Sequence, residues 1–376
     1  MKALNNSVIV FIAKYPTGFL EKDGASIRFL AIDSIFANFK RVYLESFNFP
    51  LHNFIYFWFR DIKRGYNKLP LPKNNLIKTY KYVGYKKTKE LFENAKYIYI
   101  ENFSNLAKLD LKLITQYGNK MILDFHGCAV EEMEMMSAPF WKKINMKIYE
   151  KYALSYIKFF ISVTDNMTNF YKEKYPQCRD AKFLKLPIYN DNKIEYNFDN
   201  TNDTINIIYS GRNYIWQNTE LMVTTIASIL KTNNKINIHF TILSPDIEDF
   251  EKLFVKFGIK NKVILKSVAP HQLNEEYKKA HLGFILRDKN IVNKVACPTK
   301  LIEYMSAGIV PIVIQPQIGD FANYKYRYIL NDDLLKMNLP TKEDLSKMSK
   351  ENLNIIYQFN SEIDSAKQAL KGIMND

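Results

Sequence analysis

Cys297-Pro298-Thr299-Lys300-Leu301-Ile302-Glu303-Tyr304-Met305-Ser306-Ala307-Gly308-Ile309-Val310-Pro311-Ile312-Val313-Ile314 has the pattern of a helix running into a buried strand. Pro298 is suited to start a helix, because the N–H it lacks would be unpaired there anyway. Leu301, Ile302 and Met305 supply an inward face, Gly308 ends the helix, and residues 309–314 run on as a buried parallel strand. Thr299, Lys300 and Glu303 then stand near the positive end of the helix. A phosphate is favoured there, and a carboxylate can grip sugar hydroxyls. A plain helix–strand unit of an α/β domain would carry the same pattern, so the rest of the chain has to decide.

Outward from that stretch, apolar strand-like runs alternate with amphipathic helical stretches, the pattern of parallel α/β domains. In the first half the spacing predicts strands at 8–13, 42–46, 97–101, 121–125, 159–163 and 183–186. Helices are predicted at 26–39, 87–94, 108–117, 139–155 and 166–175. The polar, Asn/Asp-rich interval from Pro187 to Thr204 breaks the alternation and reads as an interdomain linker. The second series predicts strands at 205–210, 236–243, 263–266, 282–286 and 309–314, with helices at 216–230, 247–257, 270–280 and 298–306. A further helix is predicted over about 342–374. The implied domains are 1–190, a linker at 191–204, and 205–354, with a terminal helix at 355–376. Ligands of doubly wound sheets collect at the carboxyl ends of strands, so a cleft between two such sheets is the expected site.

The 376 residues suffice for two cores, and 47% apolar with 14% aromatic content is that of a globular chain. No apolar run approaches the about 18–20 residues of a membrane-spanning helix. Val8–Ala13 is too short, and too soon followed by Lys14, for a secretory signal. Three cysteines without a CxxC pair, and five histidines without ligand spacing, imply a reducing cytoplasm and no metal site. Net charge is +14 and uneven: residues 40–89 hold 12 Lys/Arg against Glu45 and Asp61, with the run Phe54–Arg60 inside them. Basic surface with aromatic insertion suits an anionic membrane face. It equally suits nucleic acid, unless Phe54–Phe59 is core and the lysines merely solvate one face.

Four further segments bear on chemistry. Ile207-Ile208-Tyr209-Ser210-Gly211-Arg212 is a strand running into a turn where the backbone can approach a ligand closely, followed by a charged fork suited to diphosphate. Leu282–Asp288 is a buried strand that places Arg287 at its carboxyl end, where a base or ribose contact would sit. Met121–Gly127 ends in Asp124-Phe125-His126-Gly127, with a histidine at a strand tip. Asp124 either points away along the strand or orients His126. Gly24, before an amphipathic helix, stands in a loop where a diphosphate or acceptor is commonly approached. No GxGxxG, P-loop, GxSxG or HExxH is present.

The 298–308 run resembles the donor-site helix of two-domain (GT-B) glycosyltransferases of the family 4 type, especially the subset with Pro-x-Lys-Leu-x-Glu-Tyr-Met-x-Ala-Gly. The resemblance implies two doubly wound Rossmann-like domains facing a cleft, a retaining sugar transfer and no divalent ion or other cofactor. It gives Arg212 the departing nucleoside diphosphate, Glu303 the ribose, and His126 the transferred sugar. Donor contacts are expected at Gly24, Gly211, Arg287, Pro298, Thr299, Lys300 and Leu301, Arg287 from its strand-end position and Lys300 from its place at the helix start. Two departures stand out. The family's lysine after the arginine is replaced by Trp216-Gln217-Asn218, which leaves Lys300 as the candidate second phosphate contact. The first glutamate of the family's pair is Val295 here, so the identity of the donor sugar does not carry over.

The expected activity is transfer of a sugar from a nucleotide sugar to a saccharide or lipid-linked acceptor, as in capsule or lipopolysaccharide assembly. Arg212 and Lys300 would stabilise the leaving diphosphate, and domain closure would exclude water. The basic first domain implies peripheral contact with the inner membrane face, and the Asn/Lys/Ile/Tyr-rich composition fits an AT-rich bacterial genome. A sugar-nucleotide epimerase of the same architecture and a basic nucleic-acid-binding protein are the rival readings.

Overall fold

The computed structural model describes residues 5–17, 24–45, 72, 74–81, 83–189, 194–198, 204–232 and 237–375. The run Phe54–Arg60 lies outside the described residues, as do Lys22 and Asp23. The chain divides into two compact units, Met1–Asp191 with Ser365–Asp376, and Asn192–Asp364.

The first unit is a seven-stranded parallel sheet of β1 (Asn5–Ile12), β2 (Phe39–Leu44), β3 (Ile77–Tyr80), β4 (Ala95–Glu101), β5 (Met121–Phe125), β6 (Phe159–Ser162) and β7 (Lys182–Lys185). Its strand order is β3-β2-β1-β4-β5-β6-β7, so the winding reverses between β1 and β4. Val10, Ile98, Ile100, Leu123, Phe125 and Phe160 are all fully buried. Strands buried on both faces are the reason these runs read as continuously apolar. Helices α1 (Gly24–Ile35) and α2 (Phe140–Tyr156) are among its connections.

The second unit holds β8 (Ile205–Ser210), β9 (Ile238–Leu243), β10 (Ile264–Lys266), β11 (Leu282–Ile285), β12 (Val310–Val313) and β13 (Ile329–Leu330) in the order β10-β9-β8-β11-β12-β13. The reversal falls between β8 and β11, which pair through Leu282–Ile207 and Gly283–Ile208. Helices α3 (Thr219–Thr232), α4 (Leu273–Tyr277) and α5 (Thr299–Ala307) pack on it, and α6 (Lys342–Asn375) ends the chain. Met222, Val223, Ile226, Phe250, Phe284 and Ile312 form its core. Among the described residues no helix is long and apolar enough to cross a membrane.

The α/β class and the two doubly wound sheets are those expected; several boundaries differ. The predicted helix 26–39 ends at Ile35, because Phe39 opens β2 in register with Asn5. Apolar residues at a helix end and at the start of a buried strand are indistinguishable by period alone. Strands β3 and β13 were not expected. The first lies at a sheet edge with three of its four residues only partly buried or exposed, and the second is two residues long. The predicted helix 216–230 starts at Thr219, since Asn218 takes a left-handed φ of 48° after a 3-10 turn at Ile215–Gln217. The predicted helix 270–280 shrinks to a 3-10 turn and the five residues of α4. Within α5 the buried face is Leu301, Tyr304 and Met305, with Ile302 only partly covered. Pro298 is the residue before the first helical one, and Gly308 closes the helix at φ 91°. Glycine is suited to that left-handed position because it has no Cβ to clash.

Candidate functional site

In the second unit the loops after β8 and β11 meet the start of α5, at the point where the winding reverses. That is where a doubly wound sheet opens a crevice for ligands. Gly211, with φ 143°, ends β8; a Cβ there would lie 2.9 Å from Nζ of Lys300. The missing side chain thus lets the first turn of α5 approach the strand end. Lys300 is held over the ring of Tyr209, 3.9 Å from its centroid, and donates to Oε1 of Gln217 at 3.2 Å. Arg287 donates through Nη1 to Oδ1 of Asn293 at 3.4 Å, while its buried Nε has no hydrogen-bond partner. Each cation is therefore met by a neutral amide oxygen. Burial, and then the neighbouring Arg287, hold the Lys300 ammonium well below the usual lysine range. Burial likewise lowers the Arg287 guanidinium to about 10, and Tyr209 partly opposes this. Two cations close together, with the Glu303 carboxylate partly offsetting Lys300, form an arrangement that can accept an anion.

A chain of hydroxyls fixes the carboxylate beside them. The backbone N–H of Ser210 donates to Oη of Tyr304 at 3.0 Å, Oγ of Ser210 lies 2.7 Å from Oη of Tyr277, and Tyr277 donates to Oε2 of Glu303 at 2.9 Å. Burial raises the Glu303 carboxyl above its ordinary value, with the Tyr277 bond and Lys300 opposing. Tyr277→Phe would leave Ser210 and Glu303 each short of a partner. We expect a loss of about 1–3 kcal/mol, read as a lower melting temperature, with Tyr304→Phe costing less.

Arg212 is placed differently from its neighbours. Its side chain is 56% exposed, with Nη1 3.5 Å from Oδ1 of Asp246, and its carbonyl accepts from Oη of Tyr209 at 2.8 Å. Thr299 is exposed at the helix start and Pro298 is buried. Leu301 is fully buried with its N–H on the carbonyl of Pro298 at 3.1 Å, so it anchors α5. Sequence reasoning brought out Arg287, Lys300, Glu303 and Gly211, which the fold does bring together. It missed Tyr209, Ser210, Tyr277, Gln217 and Asn293, whose roles depend on which turns meet. The one available signal was Tyr209 on the strand that ends at Gly211.

In the first unit His126 follows β5 directly. Asp124, two residues earlier and so on the same side of the strand, lies 3.4 Å from its Nε2. Asp124 is fully buried and accepts from Nη2 of Arg28 at 3.0 Å and from Oη of Tyr99. Arg28 also donates to the carbonyls of Pro187 at 2.8 Å and Leu186 at 3.2 Å. Burial alone would raise the Asp124 carboxyl, but the Arg28 guanidinium and then His126 outweigh it and hold it well below the carboxylate range. Asp124 thus lies beside the imidazole, within 3.4 Å of an Nε2 that makes no hydrogen bond among the described residues, and is buried. Gly24 is the first residue of α1. Among the described residues no three His, Cys, Asp or Glu cluster as a metal site would require.

No family model matches the chain, and no curated protein matches it. Solved structures do. A sucrose-phosphate synthase from Thermosynechococcus elongatus is 12% identical with a TM-score of 0.65, over 99% of this chain and 100% of that one. HepE from Anabaena, in complex with UDP and glucose, is 8% identical at 0.65 over the same shares. WaaG, a glycosyltransferase involved in lipopolysaccharide biosynthesis, is 13% identical at 0.60 over 98% of this chain and 99% of that one. The fold is thus that of GT-B glycosyltransferases.

Proposed function

We propose that the chain is a glycosyltransferase that takes a sugar from a nucleotide sugar and passes it to a saccharide or lipid-linked acceptor in cell-surface polysaccharide assembly, with retention of configuration and without a metal ion. One observation carries the reading: Lys300 and Arg287, each hydrogen-bonded to an amide oxygen and with Glu303 the one carboxylate acting on Lys300, lie together beside the Gly211 turn where the sheet reverses. A diphosphate supplies the charge that this arrangement lacks, and preorganised cations of this kind stabilise a departing anion without reorganising. That HepE is described with UDP and glucose supports the same ligand class.

In this reading Lys300 and Arg287 hold the diphosphate through charge-assisted bonds. Arg212 joins them by leaving Asp246, since an exposed pair at 3.5 Å contributes little. Glu303, oriented by Tyr277, accepts from the ribose hydroxyls. His126, oriented by Asp124, bonds a hydroxyl of the transferred sugar. Peripheral contact with an anionic membrane face belongs to the same proposal. The basic span 40–89 that suggested it lies largely outside the described residues, and its Arg41 is buried against Asp33.

The test is a thermal-shift screen with UDP, GDP, CMP and their sugars. A ligand at about 100 times its dissociation constant should stabilise the protein by about 2.7 kcal/mol. Glu303→Ala is expected to remove that shift while the protein still folds, with an unliganded melt lowered by no more than the Tyr277→Phe variant's, since the Tyr277 hydroxyl loses its acceptor. Donor turnover without an acceptor product would point to an epimerase. Indifference to every nucleotide sugar would sink the proposal.

A further inference from the structure

Helix α2 carries apolar side chains on both of its faces. Met146, Ala153 and Leu154 are buried, together with Glu150, which accepts from Lys174 at 2.7 Å. On the opposite side Phe140 is 74% exposed, Trp141 66%, Ile144 41% and Ile148 42%. These four fall within about 100° of arc on a helical wheel, a continuous apolar ridge turned to solvent. Lys142, Lys143, Lys147 and Lys151 lie along and beside it, and Glu150, the helix's one acid, is the buried residue. Among the described residues only Lys147 of these four has a carboxylate near by, Glu134 at 3.3 Å, in a pair exposed on both sides. Lys142 lies 5.2 Å from the ring of Trp141, so its stem and the indole share one surface.

We infer that this face of α2 is an interfacial docking surface for an anionic lipid bilayer, with Phe140, Trp141, Ile144 and Ile148 entering the headgroup region and the four lysines meeting lipid phosphates. Charge selects this occupant over a second copy of the chain. A twofold pairing of the ridge would set the lysines of one copy against those of the other, whereas a bilayer rich in anionic lipid attracts every one of them. An amphipathic helix of this kind lies in the membrane plane and does not cross it, in keeping with its 17 residues and four lysines. The inference concerns a surface formed within one unit and stands whether or not the donor-site reading holds.

Co-sedimentation of the full chain with vesicles tests it. Wild type is expected to partition onto phosphatidylcholine vesicles containing about a third phosphatidylglycerol, to ignore pure phosphatidylcholine, and to be released as salt rises from about 0.1 to 0.5 M. Phe140→Ser/Trp141→Ser/Ile144→Ser should weaken partition by roughly tenfold or more while melting as wild type does, because these side chains are exposed. Lys142→Glu/Lys143→Glu/Lys147→Glu gives an independent route to the same loss that leaves the apolar ridge intact. Binding by both variants equal to wild type would overturn the inference, as would a wild-type dimer in light scattering that the serine variant turns to monomer without any vesicle binding.

Discussion

Lys300→Met is expected to separate stability from function. The methionine keeps an unbranched stem over Tyr209 but removes a cation that the folded protein holds at a cost, so the unliganded melting temperature should stay or rise. Nucleotide affinity should fall roughly 10- to 100-fold, the worth of a bond to a charged group. The rate of sugar transfer should fall by roughly 10²- to 10³-fold if the ammonium acts on the leaving diphosphate. The sign of the pH dependence follows from the lowered value. Between the folded lysine value and the unfolded one, about 10.4, the unfolded chain binds more protons, so wild-type stability rises with pH there. Diphosphate binding should take up a proton in the same window, and both slopes should vanish in the variant. Melting curves and calorimetric titrations in buffers of different ionisation heat read the stability, the affinity and the proton uptake, and a turnover assay reads the rate. A variant that keeps the wild-type nucleotide shift would remove Lys300 from the site.

Asp124→Asn should strike the first unit hardest. The carboxylate sits between Arg28, Tyr99 and His126 with no exposed surface, and the amide would remove the negative charge that faces the buried guanidinium. Breaking one partner of a buried pair costs about 3–5 kcal/mol. For a unit of this size that is a fall of roughly 6–20 °C. Arg28→Met/Asp124→Leu, which removes both charges, should recover much of the loss, since an apolar replacement of a buried pair is often neutral. Because the folded carboxyl titrates below its unfolded value of about 3.9, its contribution is complete above that pH and is lost as the solution is acidified further. The variant's melting temperature should therefore depend less steeply on acid than wild type's. Calorimetry across pH 2–7 compares the two.

The sequence made the strand–helix alternation legible because both sheets are parallel and buried on two faces, which writes each central strand as an unbroken apolar run. Met121–Phe125 and Ile205–Ser210 could be read to the residue for that reason. Edge strands lack that signature: Ile77–Tyr80 carries a lysine and a threonine and is half open to solvent. In the site, Gly211, Arg287, Lys300 and Glu303 were legible because glycine, strand-end charge and helix-start charge mean something locally. Tyr277 was not, since its value comes from touching Ser210 and Glu303, residues 67 and 26 positions away. Arg212 shows the converse. Its type and position suggested a phosphate ligand, but nothing local revealed that Asp246, 34 residues on, would hold it.

The first unit is made from both ends of the chain: Ala366 and Leu370 of α6 are buried in it, Lys367 sits 3.8 Å from the ring centroid of Tyr189, and Tyr97 donates to the carbonyl of Ile373, 276 residues later. On the ribosome, then, the lobe that emerges first is finished last. Its sheet must wait, with part of its apolar cover missing, through synthesis of the whole second lobe. A stop codon after Asp364 would wound the lobe made earlier and spare the one made later.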